Sequence, residues 1–169
     1  TEDATVQRYI DNLLDGIMPV GRPMPTCDSH PVPENNGVVV TATSPANLQV
    51  SDARGRHTGL TVAGGVEEGI PGSYFDQHGA TQEVVLPPMD TPLRVDLQGT
   101  QQGAVDLSVV AGNGRAERRV DYRAVPEAPA MRAQLQFTMA SLGPGTVLTV
   151  DAHGDGKVLT AKKPDAVSG

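Results

Sequence analysis

The residues whose types and spacing most suggest chemistry are Asp151, His153 and Asp155, in the stretch "VDAHGDGKVL". Asp at one position, a second polar residue two further on, Asp again and then Gly156 reproduce the opening of a D-x-[DN]-x-[DN]-G calcium loop, in which oxygen ligands alternate along a tight turn. Calcium is therefore the metal expected at Asp151, His153 and Asp155. The imidazole of His153 replaces an oxygen ligand, and the twelfth position is Lys162 in place of a bidentate Glu. A Gly-rich hairpin turn accounts for the same letters.

Other candidate chemistry is sparse. Cys27 and His30 stand at C-x-x-H spacing in "MPTCDSHPVP", but no second ligand pair accompanies them for zinc, and a single cysteine forms no internal disulfide. Asp52, His57 and Asp76 flank one long segment and would form a polar cluster if the fold gathered them. Ser73, in "GIPGSYF", lacks the G-x-S-x-G nucleophile elbow. Neither a P-loop nor a dinucleotide fingerprint occurs. No catalytic constellation is expected in this chain.

Composition narrows the elements that must position these residues. The 169 residues are 38% hydrophobic but only 3% aromatic, without Trp, and contain 19 Gly and 14 Pro. Valine-rich runs punctuated by Gly and Pro favour short strands and turns. A net charge of -7 offers no basic stripe for phosphates, so no nucleic-acid partner is expected. The locally basic "GRAERRVDYR" alternates Arg with Val120 and Tyr122, as one solvated strand face does. Apolar runs such as "GVVVTA" are too short to span a bilayer as a helix. With no Trp and few Tyr, an aromatic sugar platform is disfavoured; Tyr74, Phe75 and Tyr122 are expected in or against the core.

Along the chain, "TEDATVQRYIDNLLDGI" (residues 1–17) carries Val6, Tyr9, Ile10, Leu13, Leu14 and Ile17 at spacings of three and four, predicting one amphipathic helix whose stripe either packs on the β-domain or belongs to the end of a preceding domain. Residues 18–37 hold five prolines and read as an extended linker. From 38 to 163 the pattern changes to alternation, as in "LRVDLQG", where Leu93, Val95 and Leu97 face one way and Arg94, Asp96 and Gln98 the other. Nine such stretches, separated by turns such as "AGNGR" and "HGDGK", predict an all-β domain: an antiparallel β-sandwich of immunoglobulin or jelly-roll type. Asn113-Gly114 suits a type I′ hairpin. Residues 59–81 show no clear strand and read as a long loop, and residues 164–169 as a tail.

The series "SPANLQVSDARGRHTG … EEGIPGSYFD … QEVVLPP … LRVDLQGTQQGAVDLSV", closed by "LTVDAHGDGKV", resembles a β-sandwich accessory module of secreted bacterial proteins. Such modules sit beside α/β-hydrolase domains of the lipase and esterase kind, or within multidomain surface proteins. Ser44-Pro45, Leu48, Val50, Asp52, Gly55-Arg56, Gly59, Ile70-Pro71-Gly72 and Gly99 carry the resemblance; Ala104-Val105 stands where an aromatic is usual. The resemblance implies a non-catalytic accessory or interaction module, the C-terminal portion of an extracytoplasmic hydrolase whose catalytic residues precede Thr1. Its partner would be that catalytic domain or a cell-surface or extracellular ligand. The alternatives are a structural subunit or adhesin assembling through edge strands, and a fragment of a hydrolase with its active site upstream.

Overall fold

The structure, a computed structural model, describes residues 36–43, 46–157 and 159–169. The expected N-terminal helix and nearly all of the Pro-rich linker lie outside the described residues, as do Cys27 and His30.

Two antiparallel sheets pack face to face as a β-sandwich. Sheet A contains β1 (Asn36–Thr43), β5 (Tyr74–His78), β6 (Thr81–Leu86), β8 (Gly103–Asn113), β9 (Glu117–Glu127) and β13 (Ala166–Ser168), in the order β13-β9-β8-β1-β6-β5. Sheet B contains β2 (Asn47–Asp52), β3 (His57–Leu60), β4 (Val66–Glu68), β7 (Leu93–Gln98), β10 (Arg132–Phe137), β11 (Leu148–Asp151) and β12 (Leu159–Lys162), in the order β12-β11-β10-β7-β2-β3-β4. No described helix is long and apolar enough to cross a membrane.

The alternation in the sequence becomes the two faces of each sheet. Val38, Val40 and Ala42 of β1 and Val105, Leu107 and Val109 of β8 are buried against Leu48 and Val50 of β2 and Leu93, Val95 and Leu97 of β7. With so few aromatics, Val and Leu fill the interior, and among the described residues Tyr122 of β9 is the largest fully buried side chain. Val120 and Tyr122 point inward, as the alternation predicted, while Asp121 between them is half-buried and Arg119 and Arg123 on either side are exposed.

Four strands escaped the sequence reading. The segment taken as a loop over 59–81 ends β3 and contains β4 and β5, whose short, exposed strands carry too few apolar residues to show alternation. The supposed tail contains β13, which pairs with β9 from Ala166 opposite Asp121 to Ser168 opposite Arg119. Nor is the β8–β9 hairpin a type I′ turn. That turn needs positive φ at both central residues, and only Gly114 has it. Asn113 works instead through its side chain, whose Oδ1 accepts from the amides of Arg115 and Ala116.

Polar ties join the sheets through the core. Gln82 of β6 is buried; its Oε1 accepts from the Leu48 amide at 2.9 Å, and its Nε2 donates to the Ala46 carbonyl at 2.6 Å. Tyr122 Oη donates to the Thr146 carbonyl at 2.8 Å, and burial pushes its phenol pKa up, keeping it a neutral donor. Gln82→Leu keeps approximate volume but strips the Leu48 amide of its buried acceptor. Urea unfolding should show a loss of about 1–3 kcal/mol, the cost of a buried unsatisfied polar group.

Candidate functional site

The outward face of sheet B carries the arrangement best suited to binding. Register aligns its outward residues in rows that cross the strands. One row runs Gln49 (β2), Asp96 (β7), Gln134 (β10), Thr149 (β11) and Ala161 (β12). A second runs Asn47, Gln98, Arg132, Asp151 and Leu159 through the same five strands. These rows line an open groove of about 370 Å³, with Leu60 and Val62 at the β3 end and Leu159 at the β12 end. Val62 and Leu159 are 78% and 60% exposed, so the rims are aliphatic.

The groove has both committed and uncommitted polar groups. Arg94 Nε donates to Asp96 Oδ2 at 2.8 Å, and Gln134 Nε2 donates to Asp96 Oδ1 at 3.0 Å, which fixes the guanidinium and the amide in place. Among the described residues, the guanidinium of Arg132 and the side-chain amides of Asn47 and Gln98 have no protein partner. Asp151 stands opposite Arg132, but its carboxylate is used elsewhere. A second hollow of about 410 Å³, near Met89 and Met139, differs in this respect. There Met89 N donates to Met139 Sδ at 3.3 Å, and Arg118 Nη1 donates to the Ala140 carbonyl.

The loop with calcium-like spacing joins β11 to β12. Asp151 Oδ1 accepts from the amides of His153 (3.2 Å) and Gly154 (2.8 Å), and Oδ2 from that of Gly156 (2.7 Å). The Gly156 bond chiefly, with those from Gly154, His153 and Asp155, holds the Asp151 pKa below its usual value against the opposing effect of desolvation. Asp155 Oδ1 accepts from the Lys157 amide, and Lys162 Nζ pairs with Asp165. Gly154 and Gly156 both have positive φ, and a Cβ on Gly154 would collide with the Ala130 carbonyl. Asp151, His153 and Asp155 are thus neighbours in one turn whose best carboxylate already serves backbone donors. Among the described residues no group of three or more His, Cys, Asp or Glu is placed to hold a metal ion. Calcium takes six to eight oxygens, and an ion here would compete with these amides for the Asp151 carboxylate. Thermal unfolding should give the same Tm with EDTA as with calcium; a clear calcium-dependent rise would reinstate the ion.

Asp52, His57 and Asp76 do not meet. Asp52 begins the β2–β3 turn: Oδ1 accepts from the Arg54 and Arg56 amides, and Oδ2 pairs with the Arg56 guanidinium at 2.6 Å. His57 Nε2 faces Glu67 at 2.8 Å, and His78 Nε2 faces Asp76 at 2.8 Å. Ser73 Oγ donates to the Ile70 carbonyl and lies 2.6 Å from Thr58 Oγ1, tying its turn to β3.

The β5 edge of sheet A is blunted by the same chemistry. Glu68 Oε1 accepts from the Phe75 amide and Asp76 Oδ1 from the Gln77 amide, each at 2.8 Å. These two alternate amides are satisfied by carboxylates from within the chain, which disfavours strand addition there.

Comparison with protein-family models, with curated proteins and with solved structures finds no match. The class is therefore defined by fold and surface: a β-sandwich with a polar groove across one outer face.

The buried Asp52 gives a measurable pH dependence. Desolvation pushes its carboxyl up, but hydrogen bonds from the Arg56 side chain and amide and the Arg54 amide, with the Arg56 charge, bring it below 3.8. The sign follows: a depressed native pKa stabilises above the unfolded value and is lost as pH falls through the native one. Tm should be level from neutrality down to about pH 4 and then decline. Asp52→Asn should lower Tm at pH 7, with the gap from wild type closing near pH 2.

Proposed function

We propose that the chain is a non-catalytic binding module of an extracytoplasmic bacterial protein, attached to a lipase- or esterase-like hydrolase. The observation that carries the binding role is the sheet B groove, where Arg132, Asn47 and Gln98 present unspent polar groups beside the ordered Arg94–Asp96–Gln134 set. A sheet face is a rigid platform: the strands are fixed by their neighbours and by the core, so side chains present their polar groups at little ordering cost.

The placement beside a hydrolase rests on the resemblance carried by the β2–β3 hairpin sequence and the Ile70-Pro71-Gly72 turn. In the structure these segments are structural: Asp52 and Gly55 shape the hairpin, and the Ile70 amide donates to Thr58 Oγ1. Fold-specifying motifs of this kind support an accessory role and specify no reaction.

Two measurements test the reading. The reading frame upstream of the Thr1 codon should encode an α/β-hydrolase with a G-x-S-x-G elbow; an export signal joined directly to Thr1 would refute the attachment. The purified 169-residue chain should leave p-nitrophenyl butyrate unhydrolysed, and turnover abolished by a single point substitution within it would refute the non-catalytic role.

A further inference from the structure

We propose that the sheet B groove binds a neutral polysaccharide chain laid across the strands, from the Val62 rim to the Leu159 rim. The inference rests on the binding-module reading above and adds the ligand class to it.

Length is the first argument. The groove crosses from β3 through β2, β7, β10 and β11 to β12, which is five inter-strand steps or about 24 Å. It suits an extended oligomer better than a compact metabolite.

Charge is the second. The chain carries -7 overall, yet the groove lining sets Arg94 and Arg132 against Asp96 and Asp151 and is balanced. A balanced groove complements a neutral polar ligand, whereas an anionic one would be repelled by the surrounding net charge.

Hydrogen-bonding chemistry is the third. The central strands have their backbone groups paired within the sheet, so a peptide main chain finds no ladder to join here. What the face offers is planar side-chain forks: the Arg132 guanidinium, the amides of Asn47 and Gln98, and the Gln134 carbonyl oxygen that its bond to Asp96 leaves over. Adjacent sugar hydroxyls both donate and accept, and match such forks. Leu60, Val62 and Leu159 supply the apolar contact for the C–H faces of the rings that aromatic residues would otherwise provide.

Affinity electrophoresis of the purified chain in gels containing dextran, xylan or galactomannan tests this, with polygalacturonate and denatured casein as acidic-glycan and polypeptide arms. At least one neutral polysaccharide should retard the protein. Arg132→Ala and Gln134→Ala, both at exposed positions, should each weaken that retardation by about tenfold while leaving Tm unchanged. Arg119→Ala, on the outer face of sheet A, should have no effect on it. The proposal is overturned by no retardation in all three neutral gels, by retardation that survives both groove variants, or by groove-dependent retardation in polygalacturonate or casein alone. No hydrolase is present in the assay, so failure to bind glycan and failure of the hydrolase attachment are separate results.

Discussion

The groove depends on how β2 is held. This strand belongs to sheet B, but a side chain from the other sheet fixes its beginning: buried Gln82 accepts from the Leu48 amide and donates to the Ala46 carbonyl, standing in for a neighbouring strand. At its far end the Asp52 carboxylate gathers the amides of Arg54 and Arg56 and the Arg56 guanidinium, which closes the β2–β3 turn. Between these clamps Leu48 and Val50 lock into the core, and Asn47 and Gln49 are left on the outer face. A one-residue slip of β2 would exchange the two sets, burying amides and exposing Leu and Val. The same polar ties that join the sheets therefore also place the groove.

A single device recurs through the turns: a carboxylate or amide oxygen accepting several backbone amides. Asp52 does this at β2–β3, Asn113 at β8–β9 and Asp151 at β11–β12. Asp165, before β13, uses a variant of it with one backbone amide, that of Arg123, and the Lys162 ammonium, which together hold its carboxyl below the usual value. Such turns need Asp or Asn at the start and Gly where φ becomes positive. Calcium loops need the same residue types, because a cation and a set of amides both ask for convergent oxygens and a tight backbone. In the β11–β12 turn the amides take the Asp151 oxygens.

That overlap explains what was legible in the sequence. Strands with five or more alternating residues, such as "LRVDLQG", could be read directly, because burying one face leaves a period of two. The short edge strands β4, β5 and β13 bury little and left no such trace. Outward positions of Arg94, Asp96 and Gln98 could be read from β7 alone. Their alignment with Asn47 and Gln49 of β2, and with Arg132 and Gln134 of β10, could not. Those strands are brought together by long-range pairing, which local pattern does not encode. Each groove residue looks like an ordinary solvated position until the register sets it beside its neighbours.

The two outer faces of the sandwich differ in how their polar side chains are used. Across sheet A the register forms the row Tyr74, Val85, Val39, Val110 and Arg119, in which an aromatic and three β-branched residues are cross-strand neighbours. Such pairs stabilise the sheet from outside. The neighbouring row of Asp76, Glu83, Thr41, Ser108 and Asp121 is polar but largely engaged: Thr41 Oγ1 donates to Glu83, and Asp76 and Asp121 face His78 and Arg119. On sheet B the rows running through Gln49 and Asn47 hold amides, guanidinium and carboxylate, and gain little from apolar cross-strand packing. The mutual bonds of Arg94, Asp96 and Gln134 order part of this face, while Arg132, Asn47 and Gln98 remain unspent. The faces differ in how their polar side chains are used, largely paired with one another on sheet A and partly unpaired in the sheet B groove, and that difference supports the binding role proposed for sheet B.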